Sequence, residues 1–134
     1  MPARGRRSVE RRAAWRCEYC RAPQRVCGYR FHVEHIVPRL LGGADDDSNL
    51  ALACGPCNLV KGPRTKWTDP VTGEHVLLYH PRTQRWEEHF AWSSDGSTLV
   101  GLTAVGRATI SALDMNNPLR LEARLLWREL GLLT

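Results

Sequence analysis

The sequence predicts an α+β fold assembled from short strands and short helices. Three observations carry that expectation. Residues 31–36 alternate apolar and polar side chains over only a few positions, the period of a half-buried strand. Residues 8–16 and 119–130 place apolar side chains at helical spacing beside capping residues and helix stops. Two Cys-x-x-Cys pairs, Cys17/Cys20 and Cys54/Cys57, are far apart in the chain and can staple it. The 134 residues suit a modest core, and 43% hydrophobic with 25% charged residues is a globular balance rather than a disordered one.

The elements follow in chain order. Residues 1–7 read as a flexible basic arm, with no apolar run behind it to make a secretory leader. Ser8 is placed to cap a helix reaching about Arg16, with Glu10 in its first turn. Residues 21–30 are a connector containing Pro23 and Gly28. A strand spans 31–36, and Pro38 ends it. Residues 39–48 form a turn-rich surface loop with Gly42-Gly43 and Asp45-Asp46-Asp47. Residues 49–53 are a second extended stretch. Pro56 suits the first turn of a helix from about Cys57 to Lys61, stopped by Gly62-Pro63. Beyond it, strands are expected near 76–79, 86–92 and 98–103, and helices near 104–115 and 119–130. Trp67, Trp86 and Trp92 are expected in a core. Residues 1–66 then form one body with its basic arm, and 67–134 an α+β extension packed as part of the same domain. The apolar face of the last helix, Leu121, Leu125, Leu126, Trp127 and Leu130, could dock on a sheet or on a second chain, so a homodimer stays open.

The formal charge is +5, which favours polyanionic partners such as nucleic acid. No run approaches the roughly 18 apolar residues of a membrane span, so the chain reads as soluble, cytoplasmic and without a membrane partner. Four of five cysteines lie in the two pairs. In a reducing compartment such pairs favour metal over disulfides, and two C-x-x-C turns make a closed four-thiolate zinc site that is structural because no position is left open. A redox C-x-x-C would need a βαβ context, which the pattern lacks. Cys27 is given no role.

Between the pairs stand Glu34-His35 with Pro38, Gly42-Gly43, Ser48-Asn49-Leu50 and Cys54-x-x-Cys57-Asn58-x-x-Lys61-Gly62. In order and spacing these resemble the HNH endonuclease family, in the subgroup whose ββα-metal (His-Me finger) motif lies between two zinc-binding Cys-x-x-Cys pairs. The segments around Leu78–Arg82, Trp86–Phe90 and Gly106–Thr109 also look like the downstream part of some bacterial members. The resemblance implies a metal-dependent endonuclease cutting DNA, double-stranded by preference. His35 would be the general base, and Asn49 would orient its imidazole through the side-chain carbonyl. Glu34 and Asn58 would be ligands of one catalytic divalent ion. Many members carry histidine where this chain has Asn58, so it is an HNN variant. An amide is a weaker and harder ligand than imidazole, which tilts that ion toward Mg2+ or Mn2+.

Histidine is the side chain able to act as a base near neutral pH, and a carboxylate beside it can hold a hard cation. His32 shares the strand face of Glu34 and is either an accessory ligand or a half-exposed strand residue. Asp45 to Asp47 read as a solvated loop rather than a metal cluster. Lys61, Arg64 and Lys66 are expected to grip phosphates, which positions nucleic acid without reading sequence. The arginines at 4, 6, 7, 11 and 12 are either a second phosphate grip or a solubilising tail. The competing reading is a zinc-stabilised nucleic-acid-binding module that does not cut.

Overall fold

The computed structural model describes residues 3–133; Met1, Pro2 and Thr134, and the side chains of Ala3 and Arg4, lie outside the described residues. The architecture is mixed, with six α-helical segments and three two-stranded antiparallel hairpins among the described residues. The chain divides into two compact units. One runs to Thr65 and takes in His80–Gln84; the other comprises Lys66–Tyr79 and the chain from Arg85 onward.

The first unit contains α1 (Ala3–Arg12), α2 (Gln24–Cys27), β1 (His32–His35), β2 (Leu50–Ala53) and α3 (Gly55–Lys61). Two 3₁₀ turns, Arg39–Leu41 and Asp47–Asn49, shape the long connection between the strands. β1 and β2 pair antiparallel with His32 opposite Ala53, Glu34 opposite Ala51 and His35 opposite Leu50. β2 reads Leu-Ala-Leu-Ala and is buried at every position, because helix α1 packs against it.

Helix α1 corrects the sequence reading. Residues 5–7 are helical rather than a flexible arm, and Ser8 lies inside the helix rather than at its cap. Its hydroxyl donates to Asp47 at 3.0 Å. Val9 and Ala13, four residues apart, are both buried, so a tertiary stripe rather than a cap decides where this helix forms. It stops short of Arg16, where Ala14 and Trp15 adopt left-handed φ of 53° and 55°. The connector 21–30 also holds a helical turn, α2, closed by Gly28 at φ 79°.

The second unit contains β3 (Lys66–Thr68), β4 (His75–Leu77), α4 (Trp86–His89), β5 (Phe90–Trp92), β6 (Leu99–Gly101), α5 (Ala104–Ala112) and α6 (Pro118–Glu129). The expected strand at 86–92 is half helix. Trp86 and Phe90 are four residues apart and their ring centroids meet at 5.2 Å, a contact that helical spacing provides and a strand does not. Thr103 caps α5 by accepting from Gly106 N at 3.1 Å, and Asn117 caps α6 by accepting from Arg120 N at 3.1 Å. Trp86 is buried as expected. Trp92 is not: it is 40% exposed and carries the Arg124 guanidinium 5.4 Å from its ring centroid. Trp67 is half-buried.

One ion pair anchors this unit. Asp69 is fully buried, and Arg107 donates to both its oxygens, at 2.9 and 2.8 Å. Thr72 and the Val71 N–H donate to the same carboxylate and close the β3–β4 turn. The Arg107 guanidinium, with these donors, holds the Asp69 carboxyl well below the usual carboxylate range. Asp95 is held down to about 2, chiefly by the Ser97 N–H and then by the Ser97 and Ser93 hydroxyls. Both depressed groups contribute stability that is complete above the ordinary aspartate pKa of about 4 and is lost as pH falls below it. Acid unfolding followed by circular dichroism from pH 7 to 2 is therefore expected to lose stability below about pH 4. Asp69→Asn should be less stable than wild type at pH 7, with a shallower dependence on acid.

Candidate active site

The cysteine pairs converge. One ligand atom from each of Cys17, Cys20, Cys54 and Cys57 lies within 4.8 Å of all the others, and all four residues are buried. A tetrahedron with metal–sulfur bonds of about 2.3 Å has edges of about 3.8 Å; Cys20 Sγ and Cys54 Sγ are 3.7 Å apart. That is far longer than the roughly 2.05 Å of a disulfide. Burial pushes the Cys17 and Cys57 thiols well above their ordinary range. Thiols packed this closely ionise only against a cation, and four of them suit zinc. Cys27 lies outside the cluster.

Backbone contacts tie the pairs to the hairpin. Glu18, inside the first pair, donates its N–H to Leu52 O and accepts from Leu52 N through its carboxylate, both at 2.8 Å. Arg82, in the segment that returns to this unit, pairs with the other oxygen of Glu18. The second pair sits at the start of α3, where Tyr29 accepts from Gly55 N at 2.7 Å.

Beside the cluster, an open cleft of about 490 Å³ is lined by Glu34, His35, Pro38, Arg39, Leu40, Asn58, Gly62 and Pro63. Glu34 and His35 come from the end of β1 and Asn58 from the first turns of α3. Three residues singled out by sequence, twenty-four positions apart at most, thus share one opening.

Residues 17–64 match the family model described as HNH endonuclease. Over that segment the chain is similar to HNH endonuclease domains. No curated protein and no solved structure matches the chain. The matched segment runs from the first cysteine to Arg64, and so contains both cysteine pairs, the β1–β2 hairpin, α3 and the cleft.

Within the matched segment, Glu34 is only 8% exposed. Tyr19, between the first two cysteines, donates its hydroxyl to one carboxylate oxygen. The Lys61 ammonium lies 3.3 Å from the other and donates to Ile36 O at 3.0 Å. Burial raises the Glu34 carboxyl above its ordinary range, against the opposing pull of Lys61 and Tyr19. Lys61 is 1% exposed, so its expected place on a phosphate gives way to a buried ion pair. The reason is helical spacing: Lys61 is four residues after the fully buried Cys57 and shares its inward face. Arg64 lies beyond the end of α3, with a guanidinium nitrogen donating to Val60 O at 3.1 Å, and Lys66 is exposed on β3 of the second unit. His32 is exposed, on the β1 face it shares with Glu34, and is not among the residues lining the cleft.

Asn49 acts on the loop rather than on the imidazole. The resemblance implies that its carbonyl turns the His35 ring; in the structure that carbonyl accepts from Val37 N at 2.9 Å. Its amide nitrogen donates to Val37 O at 2.9 Å and to Ala44 O at 2.8 Å. Asn49 therefore pins both ends of the 37–44 loop that leaves the cleft. Gly43 fits because a Cβ there would overlap the Val37 carbonyl, and Gly42 supplies φ 88°.

The group that does touch His35 is Asp45, whose Oδ1 lies 2.7 Å from Nε2. That contact holds the Asp45 carboxyl below its ordinary range. The three aspartates are thus employed separately. Asp46 caps the second 3₁₀ turn through Ser48 N at 3.0 Å, and Asp47 takes the Ser8 hydroxyl. Sequence reasoning missed Asp45 and Tyr19. Their signals were an acid on the return arm of a hairpin loop, and a hydroxyl-bearing aromatic between two thiols.

Of the N-terminal arginines, Arg12 is used internally, donating to Asp47 O at 2.9 Å and Leu50 O at 2.6 Å. Arg6 donates to Phe31 O, while Arg7 and Arg11 are exposed on α1. No helix among the described residues is long and apolar enough to cross a membrane.

Two outcomes follow for the purified protein. Elemental analysis should find about one zinc per chain, and Cys54→Ser should lose it. Since metal binding at such sites is folding free energy, a loss on the order of 3 kcal/mol should lower Tm by roughly 10 °C or more. Asn49→Ala should cost about 1–3 kcal/mol in urea unfolding, because it removes three part-buried hydrogen bonds to the backbone of Val37 and Ala44.

Proposed function

We propose that the chain is a metal-dependent endonuclease that hydrolyses DNA phosphodiester bonds. A single catalytic divalent ion, Mg2+ or Mn2+, would be held by Glu34 and Asn58, apart from zinc on the four cysteines. The observation that supports this most is the shared cleft of Glu34, His35 and Asn58. Its donor set is one carboxylate and one amide oxygen, which suits a hard cation better than zinc. When bound there, such an ion would supply Lewis-acid stabilisation of the negative charge that develops on the phosphoryl group.

His35 takes the proton of the attacking water. Asp45 accepts a hydrogen bond from Nε2, which sets the tautomer and leaves the Nδ1 lone pair for the water. Asn49 keeps His35 at the cleft indirectly, by fixing the loop on which Asp45 follows Ala44. Glu34 carries a costly buried charge, and a divalent cation beside it offsets that cost. Arg39, exposed at the cleft rim, is better placed than Lys61 to meet a phosphate, with Arg64 as a further contact; Lys66, exposed on the second unit, is a separate candidate cation. Contacts of this kind position nucleic acid without reading its sequence, and duplex DNA is the substrate proposed.

Supercoiled plasmid incubated with Mg2+ or Mn2+ tests the reading. Wild type should convert it to open-circular or linear forms, and His35→Ala should be slower by 100-fold or more, on the order of a lost general base. Plasmid left intact with either ion, or cut equally by the variant, would refute it. Binding to DNA without cleavage would favour the non-cutting module instead.

A further inference from the structure

Glu34 is presented to the cleft by groups rooted in the two cysteine pairs. Tyr19 occupies the turn from Cys17 to Cys20, where Cys20 N points at Cys17 Sγ at 3.5 Å and Arg21 N donates to Cys17 O at 2.9 Å. The ring is fully buried, and its hydroxyl meets one oxygen of Glu34. Lys61 reaches the other oxygen from the helix that starts at the second pair. The two donors differ in kind. An ammonium keeps the carboxylate ionised but repels a second cation. A neutral hydroxyl fixes the carboxylate's orientation without competing charge.

We infer that Tyr19 is a positioning residue for the Glu34 carboxylate, and that through it the cysteine cluster sets how tightly the cleft holds a divalent cation. This rests on the assignment of Glu34 as a ligand in the preceding section. Each carboxylate oxygen has a second lone pair, so Oε1 can accept from Tyr19 while the group still coordinates a metal. Partners that orient a ligand in this way usually matter by about 10- to 100-fold in metal affinity. A hydroxyl carried between two cluster cysteines would lose its place if those thiols let go of their metal.

The test is Tyr19→Phe in the full chain, which keeps the buried ring and removes only the hydroxyl. Binding of MnCl2 is followed by electron paramagnetic resonance of free Mn2+, alongside zinc content, Tm and plasmid cleavage. The expected result is Mn2+ binding weakened by about tenfold or more, with a lower kcat and with zinc content, Tm and KM for DNA close to wild type. Combined with Glu34→Gln, Tyr19→Phe should weaken Mn2+ binding no further. Wild-type affinity for Mn2+ in Tyr19→Phe overturns the inference while leaving the nuclease reading intact, provided wild type binds and cuts. A fall in zinc content or Tm that accounts for the weaker Mn2+ binding also overturns it, since the hydroxyl would then be merely structural. Wild type that neither binds Mn2+ nor cuts DNA brings down the nuclease reading and this inference with it.

Discussion

Four buried thiols drawn to one point hold the first unit together. The strands of this unit are four residues each and its third helix seven, too short to be stable as isolated elements. Closing the chain from Cys17 to Cys57 places the first turn against β2 and starts α3 at the far end of the same strand. The Glu18 contacts with Leu52 show how tight that docking is: one residue inside the turn satisfies both backbone groups of its neighbour on β2. Everything that lines the cleft hangs from elements aligned in this way.

The same closure explains why a carboxylate can be buried at the rim of a polar opening. Glu34 lies in the middle of the hairpin, where desolvation opposes its charge. Tyr19 and Lys61 supply one donor to each oxygen, and both positions are dictated by cysteines a few residues away. A buried carboxylate without such partners would cost several kcal/mol and simply protonate. His35, its neighbour, is half-buried and takes its partner, Asp45, from the loop between β1 and β2. Asn49 makes that loop definite by bonding Val37 and Ala44 at once.

The second unit rests on a different device. It lacks the thiols, and its organising contact is the fully buried Asp69 carboxylate gripped by Arg107 and by the turn that Asp69 itself begins. Arg124 plays a comparable part at α6, buried and donating to Ser97 O at 2.9 Å and Asn116 at 3.1 Å. Small hairpins of three residues per strand need such side-chain-to-backbone ties, because their ladders alone bury little.

By itself the sequence determined the elements whose signals are local or covalent. The cysteine spacing foretold the cluster, Pro56 and Gly62 bracketed α3, and alternation at 31–36 located β1. Glu34, His35 and Asn58 were legible through the resemblance to the HNH family, and the fold brings them to one cleft. Tertiary structure decided what depends on a distant partner. Residues 5–7 are helical because Val9 and Ala13 pack on a buried strand, and 86–89 are helical because Trp86 reaches Phe90. Lys61 looks like a surface cation until Cys57, one turn earlier, is known to face inward. Asp45 looks like one of three solvated acids until the hairpin brings it back to His35. Asn49 holds a loop rather than a ring, because its amide meets backbone groups on both sides of that loop. For Lys61, Asp45 and Asn49 the role was set by the group that satisfied the polar side chain, and that group lay elsewhere in the chain.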